Sequence, residues 1–315
     1  MKRYLEQYKV RFSLRQKKKF KEVIEKDMAQ LNYSCQEIKQ YQFKIFPTID
    51  LFFGDMKTSK NIIVVPYDTC ERKFVRNVNY YPMDGYKNVN KNYKANYLPL
   101  IVFYVLILVS LYGASYLFQN NMIIMNIVSI LSTVAMVVLV YMMLKGFACH
   151  YNSNRNSASI VAALEIAKQL KPGEKSKVAF VFTDKNKNAH HGAKILAEHL
   201  TQENRNPNII FLDCLGVGNV TSIAYTPQNR KLAADLAKGF QLNDEQVDIV
   251  KMDGDKTVQT MVQYFRKAVL ISSGELDEEH SLVVKNSATN KDKYVDETRI
   301  QAIIEMICTY IHKEN

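Results

Sequence analysis

The feature that most constrains this chain is a stretch of fifty residues, positions 95–144, that contains no Asp, Glu, Lys or Arg. Two apolar runs, residues 98–118 and 122–144, lie within it and are separated by the polar tip Gln119-Asn120-Asn121. Each run is long enough to cross a hydrocarbon core of about 30 Å as a helix. The pattern predicts a transmembrane helical hairpin, and the alternative is a pair of helices buried in a protein core.

Basic residues flank the predicted hairpin, whereas its tip carries none. They are Arg72, Lys73, Arg76, Lys87, Lys91 and Lys94 before it, and Lys145 and Arg155 after it. By the positive-inside rule both flanks face the cytoplasm. The high Lys and Asn content is typical of an AT-rich bacterial genome. We therefore expect a multi-pass protein of the bacterial cell membrane, with both termini and the soluble part in the cytoplasm.

The hairpin divides the chain into residues 1–96, 97–145 and 146–315. Neither soluble piece carries the pattern of a complete domain. Because both flanks of the hairpin are expected on the same side of the membrane, the two pieces can fold together into one domain.

The net charge of +11 is concentrated at the start of the chain. Its basic residues there are Lys2, Arg3, Lys9, Arg11, Arg15, Lys17, Lys18, Lys19, Lys21 and Lys26. Next to a membrane segment, such residues are attracted to anionic lipid headgroups by about 1 kcal/mol each. Membrane lipid is therefore an expected partner, with a solvated helix face as the alternative. Nucleic acid is not expected, because no basic stripe with interleaved aromatic residues accompanies these charges.

The five cysteines show no CxxC pair and no spacing typical of a disulfide framework. Reduced thiols in a cytosolic compartment are therefore expected.

The soluble pieces alternate helical and strand patterns. The spacing of apolar residues predicts helices over residues 16–31, 157–170 with Asn156 or Ser157 as the cap, 189–200, 229–240, 258–265 and 296–311. Short apolar runs predict strands over residues 37–46, 49–54, 61–65, 178–182, 208–212, 222–225, 247–252 and 268–272. The polar residues 68–96 are expected to be a linker. This alternation predicts an α/β protein, a three-layer αβα sandwich with a mostly parallel mixed sheet, whose sites lie at the carboxyl ends of the strands.

Five segments in this order resemble the co-catalytic zinc exopeptidases of metallopeptidase family 28, which includes aminopeptidases, glutaminyl cyclase-like enzymes, and the transferrin receptor and nicastrin ectodomains. The segments are residues 61–69, 154–167, 178–184 continued to 194, 209–216 and 286–295. The resemblance implies the fold of a zinc aminopeptidase, with a hairpin inserted into it.

The resemblance also implies two zinc ions held by His and carboxylate side chains, with one Glu of a pair as the general base. In this chain the positions that match those residues are Pro66, Arg155, the pair Asn186 and Lys187, and Asn286, none of which suits zinc. Asp213 alone keeps the identity of a ligand, and Asp68 keeps the place of a carboxylate that orients a metal-bound His. An ion pair of Asp213 with Arg155 and Lys187 is expected in place of the metal ions.

These substitutions predict no catalytic residues, no metal site and no cofactor. The chain is expected to be an inactive, membrane-anchored relative that binds a peptide or a membrane protein in a crevice near Asp68, Arg155, Lys187 and Asp213. The alternative is an active zinc aminopeptidase with a displaced site, built from residues such as the adjacent His190 and His191, or from His280. The sequence does not define an oligomeric state.

Overall fold

The computed structural model of the chain describes residues 2–42, 46–72, 78–144, 146–186, 190–243 and 245–314. The α-helices in this part are α1 (Lys2–Glu6), α2 (Leu14–Gln30), α3 (Gly85–Leu117), α4 (Met122–Leu144), α5 (Ala158–Gln169), α6 (Pro172–Lys175), α7 (His191–Gln202), α8 (Arg230–Ala237) and α9 (Glu297–Lys313). The strands are β1 (Cys35–Gln42), β2 (Phe46–Phe53), β3 (Asn61–Pro66), β4 (Asn79–Tyr80), β5 (Val178–Thr183), β6 (Asn208–Leu212), β7 (Val220–Tyr225), β8 (Asp248–Lys251), β9 (Ala268–Leu276) and β10 (Leu282–Lys285).

Within the described residues, these ten strands form one mixed sheet. Its order is β1-β2-β5-β3-β6-β9-β10-β4, and β7 pairs with β9 and carries β8. The pairs β5-β3, β3-β6, β6-β9 and β7-β8 are parallel, whereas β1-β2, β2-β5, β7-β9, β9-β10 and β10-β4 are antiparallel. The predicted α/β class with a mixed sheet is confirmed, but the expectation of a mostly parallel sheet is wrong, because five of the nine pairs among the described strands are antiparallel.

Strand β3 lies at the centre of the sheet and joins the two soluble pieces. It precedes the hairpin in sequence, yet it lies between β5 and β6, both of which follow the hairpin. All six of its residues are buried, as the continuous apolar run in the sequence predicts. The chain before residue 97 and the chain after residue 145 therefore build one sheet.

Apolar clusters cover both faces of the sheet. On one face, side chains of α2, α5, α8 and α9 pack against strand residues such as Phe180 and Phe182. On the other face, Ala193, Leu196 and Leu200 of α7 pack against residues such as Phe211. Helices on both faces of one sheet make a three-layer architecture.

The region predicted as a linker is partly structured. Residues 79–80 form β4, and α3 already begins at Gly85. The Asp84 side chain accepts a hydrogen bond of 2.8 Å from the backbone N–H of Lys87 and so caps the helix. The side chain of Lys87 is largely buried, and its Nζ lies 2.6 Å from Asp277 and 2.8 Å from Glu279. The linker prediction is wrong here because cap and ion-pair contacts fix a polar segment.

Two further local predictions are wrong. The proposed helix over residues 258–265 is only a 3₁₀ turn, Met261–Tyr264, in which Met261 and Val262 are buried in the core. The proposed caps Asn156 and Ser157 make no capping hydrogen bond, because both belong to a single π-helical turn, Ser153–Ser157, that runs directly into α5.

Helices α3 and α4 are long, apolar and exposed. The windows Leu100–Leu117 and Met122–Met142 have mean hydropathies of 2.2 and 2.6, and 6% of each window is buried. Ile107 and Leu139 are the buried residues within these windows. The alternative of two buried core helices therefore does not describe this hairpin.

Part of the basic N-terminal segment is used inside the domain. Arg11 is fully buried, and Lys17 forms an ion pair with the buried Asp184. Lys21 pairs with Glu37, and Arg3 pairs with Asp27. Three of these four cations neutralise carboxylates of the fold, and Arg11 is enclosed by it.

Candidate functional site

The site lies at the carboxyl ends of the parallel strands, where an α/β sheet places its ligands. Pro66 ends β3 opposite Thr183 of β5, and Asp68 follows it by two residues. Asn186 follows β5, and Asp213 follows β6 directly. All except Thr183 are positions at which the resemblance to zinc exopeptidases places metal-site residues.

Arg155 and Tyr80 enclose the carboxylate of Asp213. Arg155 Nη1 donates to Asp213 Oδ1, and the Tyr80 hydroxyl donates to Oδ2 over 2.8 Å. The Arg155 Cζ atom lies 3.6 Å from the centroid of the Tyr80 ring, a cation–π contact. The side chain of Asp213 is 0% exposed and that of Arg155 is 12% exposed. Both oxygens of the carboxylate are therefore engaged by protein groups.

The π-helical turn that carries Arg155 is held by Asp292. One carboxylate oxygen of Asp292 accepts from the backbone N–H of Asn154 over 2.7 Å, and the other accepts from that of Arg155 over 3.2 Å. The side-chain oxygen of Asn154 accepts from the Gly216 N–H over 2.7 Å. These contacts tie the turn to the loop after β6, so that Arg155 is aimed at Asp213.

Burial and charge act in opposite directions on this ion pair. Burial lowers the pKa of Arg155, but the charge of Asp213 together with those of neighbouring Tyr and Cys side chains outweighs it, so the pKa of Arg155 lies well above its usual value. Burial raises the pKa of Asp213, whereas Arg155 and Tyr80 oppose that rise. Because the guanidinium contacts the carboxyl group directly, we take the pair to be ionised at neutral pH.

Asp68 orients Asn186. Its Oδ1 accepts hydrogen bonds from the backbone N–H of Asn186 over 3.1 Å and from its side-chain amide over 2.9 Å. The same amide also donates to the carbonyl of Thr183 over 3.0 Å. Asp68 thus holds the loop after β5 in place through a neutral side chain.

Arg11 is a buried cation near Asp68 that the sequence analysis did not assign to the site. Its Nε donates to the Tyr67 carbonyl over 2.5 Å, and its guanidinium lies 3.3 Å from Ser157 Oγ. Burial lowers the pKa of Arg11 to about 9, and the charge of Asp68 opposes that shift. In the sequence Arg11 is one of ten basic residues, and nothing distinguishes it from the exposed ones.

Two more carboxylates lie close to this edge, and neither is free to act as a ligand. Asp184 pairs with Lys17. Asp50 Oδ1 accepts from the backbone N–H of Asp184 over 2.8 Å. Burial raises the pKa of Asp50 well above its usual value.

Of the remaining predicted positions, Lys187 lies outside the described residues. Asn286 follows β10, has a left-handed backbone with φ of 60°, and its carbonyl accepts from Thr289 Oγ1 over 2.8 Å. His190 is buried, and burial lowers its pKa to about 3, so its ring is neutral at physiological pH. His280 lies in the turn between β9 and β10 with φ of 57°.

The side chains at this edge do not fit a zinc ion. Pro66 has no donor atom, Asn186 is engaged by Asp68, and Arg155 occupies the carboxylate of Asp213. Zinc sites in proteins need three or four His, Cys or carboxylate ligands. In the part of the chain that the structure describes, no three such residues are grouped so that they could hold a metal ion.

Solved structures share this fold at low sequence identity. A Zn-dependent exopeptidase from Parabacteroides distasonis is similar with a TM-score of 0.55 and 11% identity, over 96% of this chain and 91% of that chain. Macrostomum lignano glutaminyl cyclase has a TM-score of 0.56 and 10% identity, over 100% of this chain and 89% of that chain. Fimbriiglobus ruber glutaminyl cyclase has a TM-score of 0.53 and 14% identity, over 98% of this chain and 92% of that chain.

No protein-family model matches the sequence, and no curated protein matches it significantly. The likeness is therefore one of fold, and it agrees with the fold that the five sequence segments imply. The chain has the α/β fold, built on a large mixed sheet, that glutaminyl cyclases and zinc-dependent exopeptidases share.

Proposed function

We propose that this chain is a membrane-anchored, catalytically inactive aminopeptidase-like protein that binds a membrane-protein partner. The observation that carries the proposal is the ion pair between Arg155 and Asp213. It places a permanent cation against the one carboxylate that keeps the identity of a zinc ligand. A cation there repels a divalent ion. Its N–H group also occupies the carboxylate oxygen of Asp213 that the ion would need as a ligand.

The proposed anchor is the hairpin of α3 and α4. Its apolar windows are long enough to span a bilayer and are almost fully exposed. The hydroxyls of Ser110, Ser115 and Thr133 donate to carbonyls four residues earlier in their own helices, over 2.5, 2.9 and 2.9 Å. Internal hydrogen bonds of this kind are what a hydrocarbon environment requires of polar side chains. A location within the membrane explains why α3 and α4 expose so much apolar surface.

A membrane-protein partner beside the hairpin gives the soluble domain a function that does not depend on a metal site. The basic flanks support a cytoplasmic location for the domain, from which it can reach other membrane proteins. A peptide bound in the crevice near Asp68, Arg155, Lys187 and Asp213 is the other occupant that the sequence allows. Membrane lipid is expected around the exposed helix faces in either case.

The partner is tested with a photo-crosslinking amino acid placed in the hairpin of the full chain in its native membrane. Tyr112, Tyr116, Ile127 and Val137 are 79%, 73%, 51% and 64% exposed, whereas Ile107 is 7% exposed and serves as the matched control. We expect a discrete crosslinked protein adduct from at least one exposed position and none from Ile107. Crosslinks to lipid alone at all four exposed positions would contradict a membrane-protein partner.

The second candidate function is an active zinc aminopeptidase with a displaced site. The observation in its favour is that fold neighbours include Zn-dependent exopeptidases. It requires ligands other than those at Pro66, Arg155, Asn186 and Asp213, and the two candidates therefore differ in the zinc content of the purified protein.

A further inference from the structure

The two chain segments that enter and leave the hairpin meet in a short antiparallel bridge. Glu71 lies opposite Ala148. The backbone N–H of Arg72 donates to the Phe147 carbonyl over 2.7 Å, and the N–H of Cys149 donates to the Cys70 carbonyl over 3.2 Å. This bridge brings Cys70 and Cys149 directly opposite each other, although the whole hairpin separates them in sequence.

The two thiols are neighbours across the bridge, because directly paired residues of an antiparallel pair project their side chains on the same face. Directly paired residues in an antiparallel bridge have Cα atoms about 5.5 Å apart. A disulfide needs a Cα separation of about 4.4–6.8 Å, so it can form here without a large backbone movement.

We propose that Cys70 and Cys149 form a dithiol site that a hydroperoxide oxidises to an intramolecular disulfide. One of the two sulfurs attacks an oxygen of hydrogen peroxide and becomes a sulfenic acid, while the other oxygen leaves as water. The sulfur of the second cysteine then attacks the sulfenic sulfur, and the sulfenic oxygen leaves as a second water. Two electrons pass from the two thiols to one peroxide, and the atoms balance.

The dithiol is linked to the turn that carries Arg155. Cys70 Sγ donates to the Asn152 side-chain oxygen over 3.4 Å, and the Asn152 amide donates to the Cys149 carbonyl over 2.5 Å. Asn152 directly precedes the turn Ser153–Ser157. Disulfide formation removes the Cys70 thiol hydrogen and with it the donor to Asn152. The oxidation state of the pair is thereby coupled to the turn that carries Arg155.

The experiment treats the detergent-purified full chain with hydrogen peroxide, alkylates the remaining thiols, and maps the tryptic peptides by mass spectrometry. We expect the loss of two of the five thiols and a peptide that joins Cys70 to Cys149. Cys70→Ser and Cys149→Ser each abolish this peptide, whereas Cys35→Ser, a matched control at a thiol outside the bridge, leaves it unchanged.

With either serine variant, dimedone is expected to trap the remaining thiol of the pair as a sulfenic acid. Retention of all five thiols by the folded protein, or oxidation of Cys35 ahead of this pair, would overturn the proposal. Comparison of circular dichroism spectra before oxidation identifies any serine variant that fails to fold, and the wild-type peptide map decides the question without a variant.

Discussion

Replacing Arg155 with Met lowers the free energy of unfolding by about 3–5 kcal/mol at neutral pH, because it leaves a buried carboxylate without its cation. The carboxylate concerned is that of Asp213, whose side chain is 0% exposed. Tyr80 and the thiol of Cys214 remain as hydrogen-bond donors to Asp213, and they do not replace the lost charge. The deficit shrinks at acidic pH, because protonation of Asp213 removes the unpaired charge. Urea unfolding in detergent, followed by far-UV circular dichroism at two pH values, measures both effects.

The control for this prediction is the double variant Arg155→Met with Asp213→Asn. Asn keeps an acceptor for the Tyr80 hydroxyl but carries no charge, so most of the lost stability returns. If Arg155→Met alone unfolds at the same urea concentration as the wild type, the ion pair does not hold the site together.

Replacing residues 98–144 with a short Gly-Ser linker is expected to move the protein from the membrane fraction to the soluble fraction. Helices α3 and α4 contact each other along the hairpin, so the linker has about one interhelical distance, about 8–10 Å, to span. The excised helices bury 6% of their apolar windows, which means that the domain core loses little when they are removed. The remaining domain is expected to unfold cooperatively in the absence of detergent.

The matched control is the full chain in membranes washed with alkaline carbonate, which removes peripheral proteins. We expect the full chain to stay in the pellet and the excised chain to be in the supernatant. Release of the full chain by carbonate, or retention of the excised chain in the membrane fraction, would contradict a transmembrane hairpin.

The sequence alone predicts the strands that are marked by a continuous apolar run. The continuous apolar runs of β3 and β5 are buried strands because both sheet faces are covered by helices. The short strands β4, at the edge of the sheet, and β10, next to it, carry no such signal, since β4 has two residues and β10 has four, and each is defined by its partner in the sheet.

The sequence predicts the part of the candidate site whose residues directly follow the ends of strands. The pairing of Arg155 with Asp213 was expected from their positions, and the structure contains it. Tyr80 lies in the segment that the sequence predicts to be a linker. The pairing of β4 with β10 brings it to Asp213. The burial of Arg11 also depends on contacts between segments far apart in sequence, which no local pattern records.

We propose that this chain retains no zinc site. The zinc content of the purified protein is the direct test of this proposal. The protein is expressed without a His tag, purified in detergent without chelators, and analysed by elemental mass spectrometry. We predict zinc well below one ion per chain, because the described residues supply no zinc-binding group. About one or two zinc ions per chain would contradict the account and would mean that other residues build a metal site.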